Sequence, residues 1–150
     1  MPKKKITSFR ELTNAQIDLG LPSDAPFQIT ENFRALVVKV TDGDTVRLRM
    51  DKRDFDFPMR LVKIDAPEMN EGGKEAKEYL RDFIEGEEVD IIIDKDNRVD
   101  KYGRLLGDIF YMGFLISEDM MRTGRAVKFG EDDFKLQSMD KIFNLGEWFK

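Results

Sequence analysis

Two acidic segments contain the side chains best suited to chemistry, DGDT at 42–45 and DAPE at 65–68. In the first, Asp42 and Asp44 stand two positions apart, and neighbouring carboxylates repel each other unless a positive group binds near them. In the second, Pro67 stiffens the backbone between Asp65 and Glu68, which suits a preorganised site. The two segments are therefore candidates for a cation site.

Each segment also has an ordinary structural explanation. Asp-Gly is the favoured pair for a tight hairpin turn, so Asp42 could serve the turn alone. The stretch from Arg60 to Glu68 could be a strand that ends at Pro67, because a residue before proline is kept extended, with its charges in solvent. A third segment, DKYGR at 100–104, is either a polar connection with a turn at its glycine or the carrier of a second site arginine, Arg104.

The composition limits which chemistry these segments can perform. The 150 residues include no histidine and no cysteine, which excludes thiol chemistry, disulfides and cysteine-bound zinc. Acid–base work then falls to Asp, Glu, Lys or Tyr, and a bound metal must be a hard ion, such as calcium, magnesium or manganese, held mainly by oxygen. The net charge of −5 argues against a passive nucleic-acid coat protein, but not against a nuclease, which needs only a local basic patch.

Together, the three segments supply what cleavage of a phosphodiester requires. Such cleavage needs a cation on the phosphoryl oxygens, bidentate donors for the developing charge, and a base that activates water. Asp44 and Asp65 can bind a hard metal ion, while Arg60 and Arg104 can present planar forks to the phosphate. Glu68 is assigned the role of the base by elimination, because the chain has no histidine.

The elements that must position these residues are mostly strands. The sequence predicts strands at about 35–40, 45–50, 55–61, 89–93 and 105–111, the second and third from alternating apolar residues. A helix is predicted at about 74–85 from one continuous apolar stripe that ends before Gly86. Five strands with a helix between the third and the fourth predict an α+β, mainly β fold, a five-stranded OB-type Greek-key barrel with about three helices.

The remaining segments are interpreted from their composition and helix signals. Residues 1–33 are expected to be an N-terminal extension with one short helix near 9–17, and residues 34–150 one domain. Ser117 is predicted to cap a short helix through Thr123, which Gly124 ends, and a last helix is predicted at about 132–143, before a packed tail with Leu145 and Trp148. No apolar run is long enough to cross a membrane. The basic start is not followed by an apolar run, so the expectation is a protein that stays inside the cell or one whose signal was removed, and the compartment stays open.

Three motifs, in this order, resemble those of the staphylococcal nuclease (thermonuclease) family. They are VTDGDT at 40–45, RL at 60–61 with IDAPE at 64–68, and DKYGRLL at 100–106, and GEW at 146–148 is similar to the family's closing tryptophan. The resemblance extends from about Phe33 to Trp148. It implies an OB-fold barrel and Ca²⁺-dependent endonuclease and exonuclease action on DNA and RNA, in which water attacks phosphorus in line and a 3′-phosphate is left.

Carried over by position, the resemblance implies a role for each acidic residue. Asp44 and Asp65 would bind Ca²⁺ together with the backbone carbonyl of Ala66. Asp42 would support the site through water or an outer shell of contacts. Glu68 would be the general base.

The resemblance also implies the residues that meet the substrate. Arg60 and Arg104 would clamp the phosphate and stabilise the transition state, while Lys101 and Tyr102 would lie near the nucleotide. Two departures concern this binding: the loop at 69–73 is short and lacks the family's lysine-rich stretch, and VKFGE at 127–131 stands where the family has tyrosines that can stack on a base. We therefore expect weaker binding to long polymers and a steep salt dependence.

Two alternatives accompany the nuclease hypothesis. The main one is a catalytically silent module of the same fold that binds nucleic acid or protein; such modules typically lose the acids or arginines, whereas this chain keeps them (Asp44, Arg60, Asp65, Glu68 and Arg104). A calcium-binding structural or interaction domain would explain the acids but not the paired arginines. The expected partner is a DNA or RNA substrate, with no membrane and a monomeric state.

Overall fold

Strands make up most of the computed structural model, which describes residues 11–20, 28–67 and 72–128. In chain order the strands are β1 (Phe33–Asp42), β2 (Thr45–Arg49), β3 (Phe57–Leu61), β4 (Ile64–Asp65), β5 (Glu88–Ile93), β6 (Leu105–Tyr111), β7 (Phe114–Leu115) and β8 (Val127–Lys128). The helices in the same residues are α1 (Asn14–Asp18), α2 (Lys74–Ile84) and α3 (Ile116–Arg122).

Five of these strands close into a barrel. The main sheet has the order β3-β2-β1-β5-β6-β7, with antiparallel neighbours from β3 through to β7. A parallel pairing of β3 with β6, in which Arg60 lies opposite Leu106, joins the two ends. The predicted five-stranded OB-type barrel is thereby confirmed. Short strands β4 and β8 form a second sheet that the sequence pattern did not predict, because two residues are too few to show alternation.

Alternation along the strands decides which side chains face the core. On β3, Phe57, Met59 and Leu61 are buried, whereas Pro58 and Arg60 between them are partly exposed. The apolar stripe of α2 closes the barrel from outside with its buried residues Ala76, Leu80 and Ile84, and α2 packs against β1. The core therefore fixes β3 so that Arg60 must point outward.

The predicted helices agree with the structure in part. Ser117 is not the N-cap of α3 but its second residue, and the cap position is taken by Leu115. The reason is Asp108, a buried residue of β6 whose carboxylate accepts the backbone N–H of Ser117 at 3.2 Å and the Ser117 hydroxyl. The helix α1 begins after Thr13, whose side chain caps it, and positions 9 and 10 of the predicted helix lie outside the described residues. The predicted helix at 132–143 and the tail with Trp148 lie outside the described residues.

Residues before β1 are attached to the barrel by two buried arginines. Arg53 donates from Nη1 to Glu11 at 2.6 Å, with both side chains almost fully buried. Arg98 donates to the side-chain oxygen of Asn14 and the carbonyl of Leu12, each at 2.7 Å, and to the carbonyl of Ile29. Burial lowers the pKa of Arg98. Over the part of the chain that the structure describes, no helix is long and apolar enough to span a membrane.

Candidate active site

Gly43 lets the β1–β2 turn press against the rest of the site. Gly43 is buried, and its backbone is not in the left-handed conformation. A Cβ at this position would lie 2.7 Å from the Cβ of Ala66 and 3.0 Å from the Cβ of Ala76. Glycine is therefore required here for close approach and not for the tight-turn conformation that the Asp-Gly pair suggested. This approach brings Asp44 beside the segment that holds Asp65.

The carboxylates of Asp44 and Asp65 meet at one guanidinium. Nη2 of Arg60 donates to Oδ1 of Asp65 and lies 3.5 Å from Oδ2 of Asp44. The same Oδ2 accepts the backbone N–H of Ala66 at 3.2 Å, and the Thr45 hydroxyl donates to the other oxygen at 3.1 Å. The side chains of Arg60, Asp44 and Asp65 are 14%, 18% and 37% exposed, so the cluster is partly buried but open to a ligand.

Backbone pairing holds this cluster from two sides. The N–H of Leu61 donates to the carbonyl of Asp44 at 2.8 Å, which ties the end of β3 to the turn after β1. Asp65 lies on β4 opposite Val127 of β8. Since each carboxylate is attached to a different piece of regular structure, their separation is set by the fold rather than by side-chain choice.

A rigid loop presents Arg104 at the start of β6. The carboxylate of Asp100 accepts the backbone N–H groups of Tyr102 and Arg104, each at 2.9 Å, and the Nε of Arg104 at 2.7 Å. Tyr102 is 68% exposed, and the guanidinium of Arg104 lies 5.3 Å from the centre of its ring. Arg104 stands two residues before Leu106, the partner of Arg60 in the β3–β6 pairing, so it immediately precedes the strand that pairs with the strand of Arg60.

The predicted site residues are not all brought together. Asp44, Arg60, Asp65 and Ala66 converge, whereas Asp42 is exposed at the end of β1 and lies opposite Thr45 in the strand pairing. The predicted base, Glu68, lies outside the described residues. Lys101, whose Nζ is 5.1 Å from the centre of the Tyr102 ring, lines a groove together with that tyrosine and Arg104.

The donor set fits a hard cation with an incomplete protein shell. Ca²⁺ takes six to eight oxygen ligands, and Mg²⁺ keeps several waters. Asp44 and Asp65 supply carboxylate oxygens close together, and a pair of like charges is stabilised by a cation. Within residues 11–20, 28–67 and 72–128, no group of three or more acidic side chains is placed to hold a metal ion. Water and a substrate phosphate would therefore have to complete the coordination.

A groove of about 610 Å³ beside Arg104 was not anticipated from the sequence. The outward face of β2 and β3 contributes Arg47 and Pro58 to it, and the segment before β1 contributes Glu11. Asp56, also in its wall, is bonded by both Nε and Nη2 of Arg49 at 2.8 and 3.1 Å, and these bonds lower the pKa of Asp56. The alternation of β2 is the sequence signal that places Arg47 outside the barrel, but it cannot show which loops surround it.

Comparisons with known proteins agree with the motifs. Residues 58–145 match the family model described as staphylococcal nuclease homologue. The chain is 30% identical over 104 residues to an uncharacterized protein of Bacillus anthracis, covering 65% of this chain and 48% of that protein. It is 35% identical over 80 residues to the micrococcal nuclease of Shigella flexneri (53% of this chain, 43% of that one). It is 38% identical over 71 residues to the probable staphylococcal-like nuclease CAN1 of Oryza sativa subsp. japonica (47% and 20%). The matched region thus spans less than half the length of these relatives.

Proposed function

We propose, since this chain belongs to the family of staphylococcal nuclease homologues, that it hydrolyses phosphodiester bonds of DNA or RNA with Ca²⁺ as its cofactor. The observation that carries this proposal is the convergence of Asp44 and Asp65 on the guanidinium of Arg60. A phosphodiester is an anion, so its cleavage needs cationic groups at one partly buried place. The relatives named as nucleases support the same activity.

The acidic residues would hold the cofactor. Asp44, Asp65 and the backbone carbonyl of Ala66 are the proposed ligands. Asp42, which is exposed and stands two residues before Asp44, would act through water. When bound, Ca²⁺ would polarise a phosphoryl oxygen and offset the charge that builds up on it. The N–H of Ala66, which donates to Asp44 at 3.2 Å, keeps that carboxylate oriented.

The arginines would hold the phosphate. A guanidinium presents several N–H donors in one plane, which matches two oxygens of a phosphate. Arg60 is anchored by its bond to the carbonyl of Leu61 at 3.0 Å, and Arg104 by its bond to Asp100 at 2.7 Å. Each arginine is therefore held in place by one bond, while its other N–H donors can meet the developing charge of the transition state.

Glu68 is the proposed general base, and 3′-phosphate products are expected. Its assignment rests on its position three residues after Asp65 and on the absence of histidine from the chain. Lys101 and Tyr102 would contact the nucleotide beside Arg104. We further propose that residues 34–150 form the catalytic domain and that residues 1–33 are an N-terminal extension, with the chain acting as a monomer.

Cleavage of single-stranded DNA with Ca²⁺ or with a chelator tests the proposal. We expect wild type to cut only with Ca²⁺, Glu68→Gln to lose about 10²–10⁴ in rate, and Arg104→Ala to lose roughly 10³–10⁵. Product ends are identified by mass spectrometry, and 3′-phosphates are expected.

Matched variants on the surface control for charge and for contamination. Glu78→Gln on the exposed side of α2 and Arg34→Ala on β1 make the same kinds of change away from the site and should cut at the wild-type rate. Equal cutting by wild type and Glu68→Gln would contradict the assignment of the base. Binding of DNA without cleavage under Ca²⁺, Mg²⁺ or Mn²⁺ would instead identify a silent binding module.

A further inference from the structure

We infer that the groove beside Arg104 holds the nucleotide next to the scissile phosphate, and that Arg47 binds the phosphate of that nucleotide. This inference rests on the proposed nuclease function and adds a second phosphate-binding residue to it. The substrate class is a single-stranded nucleic acid with at least two consecutive phosphates. The groove contains Arg104 but none of Arg60, Asp44 and Asp65, so it lies beside the cluster and not in it.

Strand register places Arg47 and Arg60 on the same outward face. Arg47 of β2 lies opposite Pro58, and Thr45 lies opposite Arg60. Val46 and Leu48 on either side of Arg47 are fully buried, so its side chain must leave the barrel. Diagonal neighbours of this kind on antiparallel strands are about 7–8 Å apart. Two long arginines at that spacing can reach successive phosphates of one strand.

The guanidinium of Arg47 has donors available for a phosphate. Its Nη2 donates to the backbone carbonyl of Asp56 at 3.0 Å. Among the described residues no carboxylate oxygen lies within 4.0 Å of it, whereas Arg104 has Asp100 as an ion-pair partner. The charge of Arg47 lowers the pKa of Asp56 at longer range, but the carboxylate itself is bonded to Arg49. Arg47 is thus a partly exposed cation of the groove with N–H donors beyond the one that bonds the carbonyl of Asp56.

Both acidic residues that line the groove are already paired with arginines. Glu11 accepts Nη1 of Arg53 at 2.6 Å, and Asp56 is held by Arg49 at 2.8 Å. Their charges are therefore offset locally, while Arg47 adds positive charge to the groove. An incoming phosphate therefore meets net attraction in the groove, to which Arg47 contributes together with Lys101 and Arg104.

The walls of the groove suit an unpaired base. Phe55, Phe57 and Pro58 contribute apolar surface, and Tyr102 stands at the rim with 68% of its surface exposed. Aromatic side chains bind bases of any sequence by stacking, provided that the bases are not already stacked in a duplex. The volume of about 610 Å³ is within the range of small-molecule sites and accommodates one nucleotide.

Binding of a fluorescent oligodeoxynucleotide in a chelator, measured by anisotropy, tests Arg47 without cleavage. Arg47→Gln removes the charge but keeps a polar side chain with an N–H donor. We expect it to bind about 10-fold more weakly and to lower the slope of log affinity against log salt by about 0.7. Arg47→Lys should recover part of the affinity. Arg34→Gln, an exposed change on β1, should bind as wild type, and thermal unfolding confirms that each variant is folded.

Cleavage of modified strands then locates the contact. A neutral methylphosphonate replaces one or the other phosphate that flanks the scissile bond. For one of the two modified strands, the kcat/KM of wild type should be about 10-fold lower than for the unmodified strand. Arg47→Gln should cut that modified strand and the unmodified strand with the same kcat/KM, because the substitution and the modification remove the same contact. Additive losses, equal loss in Arg34→Gln, or no binding of the strand by wild type would overturn the inference. Binding that depends on Arg47 without any cleavage would contradict the proposed function and leave the groove assignment standing.

Discussion

Replacing Gly43 by alanine puts a methyl group into a space that two other methyl groups already occupy. The new Cβ would lie 2.7 Å from that of Ala66 and 3.0 Å from that of Ala76. Unstrained carbon contacts begin near 3.5 Å, so the overlaps are roughly 0.8 and 0.5 Å. Ala66 directly follows β4 and Ala76 belongs to α2, so the β1–β2 turn that contains Gly43 must move away from both. Overpacking of this kind typically costs about 1–3 kcal/mol.

The same movement should impair the proposed chemistry. Asp44 follows Gly43 directly and would be displaced from the N–H of Ala66 and from Arg60, and a misplacement of about 1 Å can cost on the order of 10²-fold in rate. Urea unfolding and the rate of Ca²⁺-dependent cleavage are measured for Gly43→Ala, for Ala66→Gly and for the double variant. The double variant restores the methyl count, so it should recover much of both losses. Wild-type stability and rate in Gly43→Ala, or purely additive effects in the double variant, would refute the close-approach argument.

Three further predictions follow from other contacts. Arg60→Lys should cut roughly 10³-fold more slowly than wild type despite its unchanged charge, because an ammonium lacks the planar fork; normal cleavage would remove Arg60 from the mechanism. Arg53→Met should lower the free energy of unfolding in urea by about 3–5 kcal/mol, because the buried carboxylate of Glu11 loses its partner, and adding Glu11→Gln should reverse part of this loss; additive losses would contradict the pairing. Arg49→Ala should destabilise the fold slightly near neutral pH but not below the lowered pKa of Asp56. A carboxylate whose pKa is lower in the folded than in the unfolded protein stabilises the fold above the unfolded pKa, and this stabilisation is lost as the pH falls through the folded pKa. A difference in stability from wild type that persists in acid would contradict this.

Alternation made the barrel predictable from the sequence, because each strand buries one face. The predicted strand at 105–111 and the helix at 74–85 agree with β6 and α2 to within a residue. Ser117 was misassigned because its sequence neighbours suit a helix start, whereas its partner, Asp108, comes from another strand. Strand β8 and its pairing with β4 were missed because this pairing depends on contacts between distant segments and not on local pattern.

The candidate site was predictable in its residue types but not in its geometry. The residue types of Asp44, Asp65 and Arg60 predicted the chemistry, and the fold shows that one guanidinium contacts both carboxylates. Gly43 was interpreted as a turn residue because Asp-Gly pairs usually are; its actual role depends on the methyl groups of Ala66 and Ala76, which no local pattern reveals. The groove that Arg47 lines was not predicted, since a strand pattern shows the direction of a side chain but not the loops around it.

Barrel closure has a kinetic consequence. The parallel pairing of β3 with β6 joins segments that stand far apart in the sequence, while β1, β2 and β3 pair as consecutive hairpins. Closing a long loop costs more chain entropy than closing a hairpin, so the β3–β6 seam is expected to form after the local pairings. The strand of Arg60 and the strand that Arg104 immediately precedes pair only across that seam. A refolding chain should therefore regain its strand content first and the proposed phosphate binding by Arg60 and Arg104 last. Nucleotide binding would then report on the final step of folding.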